Sequence, residues 1–469
     1  MSTRAWVSRF LPFAKIKKLA GGGLSSHYLR PYTARWIYFG LLKQARPFYL
    51  TECWRYPYWE FPSAEAASVL ASASSSEPDL LFLPMADWHA RTQRTQHLAR
   101  ALAEAGHRCF YLNPHLGFEY AATYSRCCEH RLAQLAPRLF ELHIRLPSEP
   151  VIHQRLPSRR ESRILYEVLR RSVELSRGGR LIQIVSLPFW LEVAKKLKDS
   201  HQCPIVYDCH DHLSGFERLS QEIIGLEAEM FRHSDLIVFS SQTLLDGKTA
   251  GLPWLRAKSI LIRNAAGTVE TPPRQVERAR SKKIIGYVGS LDHWFDVECV
   301  RQAALRRADW EYVLIGRIED PSVLQLAELP NVKFLGELPH SELDAHLSGF
   351  DAALIPFRIN ELTLAVNPIK LYEYFSYGLP VVSTNLPEVS MFGKLVYIGG
   401  NPEDFADKVE TAALESDASI RQKRISIARR ETWAARARQL QAAFAALMAN
   451  RDLQSARVPP EAGPEGSQS

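Results

Sequence analysis

Asn367-Pro-Ile-Lys-Leu-Tyr-Glu-Tyr-Phe-Ser-Tyr-Gly-Leu-Pro-Val-Val-Ser-Thr384 packs a helix start, a polar stripe and a buried strand into one short run. Asn367 is a favoured N-cap and Pro368 suits the first helical position, where a missing N–H costs nothing. The amides of Ile369 and Lys370 then point outward with the positive end of the helix dipole, and Lys370 adds a full charge, an arrangement that attracts an anion such as phosphate. Leu371, Tyr374 and Phe375 follow the i, i+3, i+4 spacing of a buried face, whereas Lys370, Glu373 and Tyr377 share another. Glu373 stands one turn from the anion pole, where its carboxylate could accept hydrogen bonds from two adjacent hydroxyls. Gly378 and Pro380 stop the helix, and Val381 and Val382 begin an apolar run suited to a covered parallel strand. The alternative is an ordinary amphipathic helix in which Lys370 and Glu373 form a surface pair worth a few tenths of a kcal/mol.

The 469-residue chain is too long for one core and suits two domains with appendages. With 46% hydrophobic and 23% charged residues it has the composition of a globular protein, and no apolar run approaches the length of a membrane span. Lys15, Lys17 and Lys18 cut short the apolar patch at Leu11–Ala14, which argues against a secretory signal. Seven cysteines without a C-x-x-C pair suit a reducing compartment and argue against a zinc site, so a cytoplasmic location is expected. Of the net charge of +7, residues 1–51 carry nine Lys and Arg and no Asp or Glu, leaving about −2 for the remainder. These cations alternate with Trp6, Phe10, Phe13, Tyr28, Tyr32, Trp36, Tyr38 and Phe39. The mixture suits an anionic membrane surface, through residues 1–50, or an extension packed on its own domain. No nucleic-acid module accompanies it.

Patterning divides the chain into 1–78, a basic aromatic extension with an Ala/Ser-rich spacer at 64–78; 79–266, an α/β domain; 267–283, a linker; 284–452, a second α/β domain with C-terminal helices; and 453–469, a polar tail expected to be disordered. Strands are expected at Leu80–Leu83, Cys109–Leu112, Leu139–Leu146, Leu181–Val185, Ile205–Asp208 and Leu236–Phe239 in the first domain. In the second they are expected at Ile284–Gly289, Tyr312–Gly316, Val332–Gly336, Asp351–Pro356 and Pro380–Ser383. Strands alternating with helical segments imply parallel sheets covered on both faces, with ligands at the carboxyl ends of strands.

The opening run resembles the donor-site signature of GT-B glycosyltransferases, especially glycosyltransferase family 4, in which a Pro-x-Lys-x-x-Glu helix precedes a Gly-x-Pro-Val-Val strand. The resemblance spans roughly Leu80 to Leu447 and is stronger in the second half. It implies two Rossmann-like domains facing a cleft and a nucleotide-diphosphate sugar as donor. Within that site Asn367, Pro368, Ile369 and Lys370 would face the diphosphate and Glu373 the ribose. Gly289 would let backbone approach the phosphate, and Arg317 could reach the nucleotide. Val206-Tyr-Asp-Cys-His-Asp-His212 is similar to the family loop near the anomeric carbon and makes His210 and Asp211 the catalytic candidates. Met85–His97 resembles a teichuronic-acid-type branch, with Asp87, Arg91 and Arg94 expected to face the acceptor. Each has a plainer alternative: a turn glycine, a solvated arginine, a satisfied turn histidine.

One departure concerns the sugar end. The family often carries a glutamate eight residues before the ribose glutamate, and here that position is Ala365, leaving Glu361, Asn360 or Thr363 as substitutes. Retention of configuration, usual in the family, is implied more weakly for that reason. No Asp-x-Asp occurs, so the helix start and Arg317 would neutralise the leaving group and no metal or other cofactor is obligatory. The expected function is transfer of a sugar to a glycan or lipid-linked acceptor in bacterial cell-surface polysaccharide synthesis, peripheral to the inner membrane face. A non-catalytic GT-B scaffold and a nucleotide-sugar epimerase are the alternatives.

Overall fold

The computed structural model describes residues 56–457 apart from 74–75, 90–91, 117–129, 149, 177–179, 268–281 and 339. The basic extension up to residue 55, Arg91, most of the expected linker and the tail from 458 lie outside the described residues.

The first sheet contains β1 (Tyr58–Glu60), β2 (Asp79–Leu83), β3 (Cys109–Leu112), β4 (His130–Ala136), β5 (Leu139–Ile144), β6 (Leu181–Val185), β7 (Ile205–Cys209), β8 (Leu236–Phe239) and β9 (Ser259–Leu261). Its order is β1-β4-β5-β3-β2-β6-β7-β8-β9, parallel from β5 to β9, with β4 antiparallel to both β1 and β5. The second contains β10 (Ile284–Val288), β11 (Glu311–Ile315), β12 (Val332–Gly336), β13 (Ala352–Ile355), β14 (Val381–Thr384) and β15 (Val396–Gly399), in the order β12-β11-β10-β13-β14-β15 and parallel throughout.

Burial on both faces explains the unbroken apolar strands. Along β2, Leu81 and Leu83 enter one core and Leu80 and Phe82 the other, as the two-residue period of a strand requires. Helix Arg94–Glu104 covers that second face through Leu98 and Leu102.

Two expectations change. The Ala/Ser-rich spacer carries helix Ala64–Ser72, capped by Ser63 and buried through Ala66 and Leu70, so it belongs to the first unit's core. The last helix, Trp433–Arg457, expected in the second domain, returns to the first. Its Trp433, Ala437, Leu440, Phe444 and Met448 join the core beside Leu98 and Leu102, and Trp433 stacks on His97 with 4.7 Å between rings. Each large side chain buried there contributes about 1.5–3 kcal/mol.

The carboxyl ends of the parallel strands in the two sheets face each other. Ser241, after β8, donates its hydroxyl to the Ala365 carbonyl at 2.5 Å, and Arg218, beyond β7, lies 3.5 Å from Glu319, beyond β11. A Cβ on Gly215 would fall 2.6 Å from that of Leu362.

Candidate functional site

In the second sheet the chain runs outward from β10 to β12 on one side and from β13 to β15 on the other, so the crevice expected to take a ligand opens between the ends of β10 and β13. Gly289 and Gly316 end β10 and β11 with φ of 146° and 148°. A Cβ on Gly316 would fall 1.8 Å from the Gly289 carbonyl oxygen, and one on Gly289 would fall 2.8 Å from Lys370 Nζ. Both positions need glycine for their conformation, and Gly316 also for space, because its neighbour there is backbone. The Lys370 ammonium lies 5.3 Å from the Tyr287 ring centre and 5.0 Å from that of Phe357, poised over the strand end. Glu373, one turn along helix Ile369–Ser376, is half-buried on the same side. The sequence run therefore brings Gly289, Lys370 and Glu373 to one crevice.

The helix starts one residue later than expected. Pro368 occupies the capping position, with φ −71° and ψ 120° and no side-chain cap, because Asn367 is committed elsewhere. Asn367 is 1% exposed, donates to Glu388 at 2.8 Å and to the Tyr372 hydroxyl at 3.2 Å, and accepts from the Asn264 amide at 2.9 Å. It is a tether between the two units, not an N-cap. Pro368 has no N–H, so the amides of Ile369 and Lys370 still head the helix. Arg317 follows Gly316 but turns to Glu319, 2.8 Å away.

On the opposite side, His210 follows β7, with Nδ1 3.0 Å from the Asp208 carbonyl and Nε2 3.5 Å from the Asp211 carboxylate. Burial pushes the Asp211 carboxyl up from its ordinary value against the pull of His210, and the Asp208 charge adds to the rise. Arg94 does not face an acceptor. It is 2% exposed, its Nε lies 3.0 Å from both carboxylate oxygens of Asp208, and its Nη1 reaches Asn264 at 2.9 Å. A guanidinium in that position is buried because a buried carboxylate meets it.

Asp87 is also turned inward. It accepts from the His89 amide at 2.9 Å and from Asn113 at 3.3 Å, and pairs with His115 at 3.3 Å. Burial alone would raise its pKa, but the His115 partner holds it at about 2. The fully buried Glu141 accepts from Asn113 at 2.7 Å and lies 3.0 Å from His89 and 3.3 Å from His143. Burial opposes its charge, yet His143 and His89 keep its carboxyl well below the usual range. Burial would lower the His89 pKa, but the Glu141 charge raises it overall. Sequence reasoning missed His89, Asn113, His115 and Glu141. Asp87-Trp-His89 and Asn113-Pro-His115 lie in the loops after two apolar strands, and that repeated polar-x-His pattern was the available signal.

The depressed Asp87 carboxyl contributes stability that is complete above its unfolded value near 3.8 and is lost as pH falls toward 2. Asp87→Asn is therefore expected to lose about 2 kcal/mol near neutral pH, with the deficit shrinking as acid protonates the parent. Denaturant midpoints measured from about pH 6 to about pH 3 test this, and a deficit independent of pH would contradict it.

Of the substitutes for the missing glutamate, Asn360 and Thr363 cap helix Glu361–Leu364 and are spent on it. Ala365 is 3% exposed and packs with the first unit's core. Glu361 has an 88% exposed side chain, 3.4 Å from His212 in the loop that carries His210.

Residues 282–414 match the family model "Glycosyl transferases group 1". A Bacillus subtilis (strain 168) protein named as a teichuronic acid biosynthesis glycosyltransferase, TuaH, is 29% identical over 256 residues, covering 49% of this chain. The match spans 64% of the length of that relative. Among solved structures, sucrose-phosphate synthase of Thermosynechococcus elongatus aligns over 80% of this chain and 100% of its own, with a TM-score of 0.60 and 15% identity. HepE of Anabaena, in complex with UDP, aligns over 78% of this chain and 100% of its own, with a TM-score of 0.53 and 15% identity. These structural likenesses speak for the fold. The chain thus has the GT-B fold, and its residues 282–414 are similar to the group 1 glycosyl transferases.

Proposed function

We propose that this protein is a glycosyltransferase that moves a sugar from a nucleotide-diphosphate sugar to a hydroxyl of a glycan or lipid-linked acceptor in bacterial cell-surface polysaccharide synthesis. The observation that carries the reading is the Lys370 ammonium held over Gly289 at the head of helix Ile369–Ser376, with Glu373 one turn on. The likeness to TuaH and the UDP bound in HepE support it.

In this reading the diphosphate lies against Gly289 and the amides of Ile369 and Lys370, and the helix dipole and the ammonium stabilise charge developing on the leaving group. Glu373 accepts hydrogen bonds from the ribose hydroxyls. Arg317 can exchange Glu319 for a phosphate oxygen, since its own side chain is exposed and Glu319 keeps Arg218 as a partner. His210 and Asp211 face the anomeric carbon, and Glu361 supplies the carboxylate that Ala365 lacks. Retention remains the outcome implied by the family resemblance. The acceptor hydroxyl lies nearer His89 and His115, imidazoles held by buried carboxylates at neighbouring strand ends, an arrangement suited to orienting a hydroxyl and relaying its proton.

His210→Ala is expected to lower turnover of radiolabelled nucleotide sugar by about 10²-fold while nucleotide affinity stays within about twofold. A folded variant with parental turnover would remove His210 from the chemistry. The basic aromatic residues 1–50 place the enzyme on the cytoplasmic face of an anionic membrane in this reading. Their deletion should reduce sedimentation with vesicles containing phosphatidylglycerol, and unchanged sedimentation would contradict the placement.

A further inference from the structure

Five buried polar side chains connect the head of the nucleotide-side helix to the His210 loop. Glu388, 2% exposed, accepts from the Gln242 amide at 2.8 Å, from Arg263 Nε at 2.7 Å and from Asn367 Nδ2 at 2.8 Å. Asn367 meets Asn264 twice: the Asn264 amide donates to its side-chain oxygen at 2.9 Å, and the Asn264 side chain donates to its carbonyl at 2.6 Å. Asn264 accepts from Arg94, and Arg94 grips Asp208, whose carbonyl lies 3.0 Å from His210 Nδ1. Gln242, Arg263 and Asn264 follow strands of the first sheet, whereas Asn367 and Glu388 belong to the second unit.

We propose that Asn367 and Glu388 are positioning residues: with Asn264 they fix the start of helix Ile369–Ser376, and so the Lys370 ammonium, in register with the His210 loop. The proposal rests on the reading of that helix as a nucleotide site. Neither residue touches the nucleotide. Asn367 immediately precedes Pro368, which has no N–H and no side-chain cap to hold the helix end, so the Asn367 contacts take over that task. Asn367 needs both a donor and an acceptor there, because Glu388 only accepts and the Asn264 amide only donates. A carboxylate or an aliphatic side chain would satisfy one partner at most.

A coupling experiment separates positioning from general stability. Affinities for UDP, GDP and ADP are measured by calorimetry on the full chain, on Asn367→Ala, on Lys370→Ala and on the double variant, with thermal melts to establish folding. Asn367→Ala is expected to weaken the nucleotide that binds by about fivefold to tenfold, and by less than about twofold when Lys370 is already alanine, because coupled residues are not additive. Glu388→Gln, which keeps shape and loses charge, should show the same coupling and serves if Asn367→Ala does not fold. Unchanged affinity, or equal losses in both backgrounds, would overturn the positioning role and leave the nucleotide site standing. A parent protein that binds none of the three nucleotides would overturn the site itself.

Discussion

Arg94→Ala is expected to cost about 3–5 kcal/mol of folding stability, the usual penalty for removing one partner of a buried ion pair. The reason is geometric. Arg94 and Asp208 are each 2% exposed, and the guanidinium is the donor to both oxygens of that carboxylate. Without it the Asp208 charge stays beside Asp211, whose own carboxyl burial already pushes toward protonation. Water cannot enter cheaply, because Asn264 and the last helix, through Arg436, close the site from behind. Arg94→Lys should recover only part of the loss, since an ammonium cannot reproduce the fork that spans Asp208 and Asn264. Denaturant midpoints are the measurement. A loss below about 1 kcal/mol, with turnover reduced, would return Arg94 to the acceptor-facing role the sequence suggested.

Glu373→Ala should weaken nucleotide binding by about 1.5–3 kcal/mol, or roughly tenfold to 150-fold, by removing charge-assisted hydrogen bonds to the ribose. Stability should change little, because Glu373 is only half-buried. The competing account, a surface pair with Lys370, makes the opposite forecast: a few tenths of a kcal/mol of stability and no change in affinity. The two outcomes do not overlap, so one titration of a folded variant decides between them.

The two outcomes also show what one dimension of sequence could reveal. Lys370 and Glu373 were legible because everything they need is local: helical spacing, an adjoining glycine and a following apolar strand. The central parallel strands were legible for the same reason, since burial on both faces forces continuous apolar runs such as Leu80–Leu83. Short edge strands were not. β1 and β9 have three residues each, so neither carries a period long enough to read. Arg94 was misplaced because its partner lies 114 residues away, and Asn367 because Asn264 lies 103 residues away. Each fits a local pattern, an arginine opening a helix and an asparagine preceding a proline, that the distant contact overrides. The last helix shows the same limit at the level of domains, because an amphipathic pattern says that a face is buried but not against which sheet.

The claim on which the rest depends is that the crevice between the ends of β10 and β13 holds a nucleoside diphosphate. Calorimetric titration of the full chain with UDP, GDP and ADP, repeated on Lys370→Ala, tests it most directly. The prediction is saturable binding of at least one of the three at a single site, weakened about tenfold or more when the ammonium over Gly289 is removed. Folded protein that binds none of them, or that binds one equally well without Lys370, would contradict it.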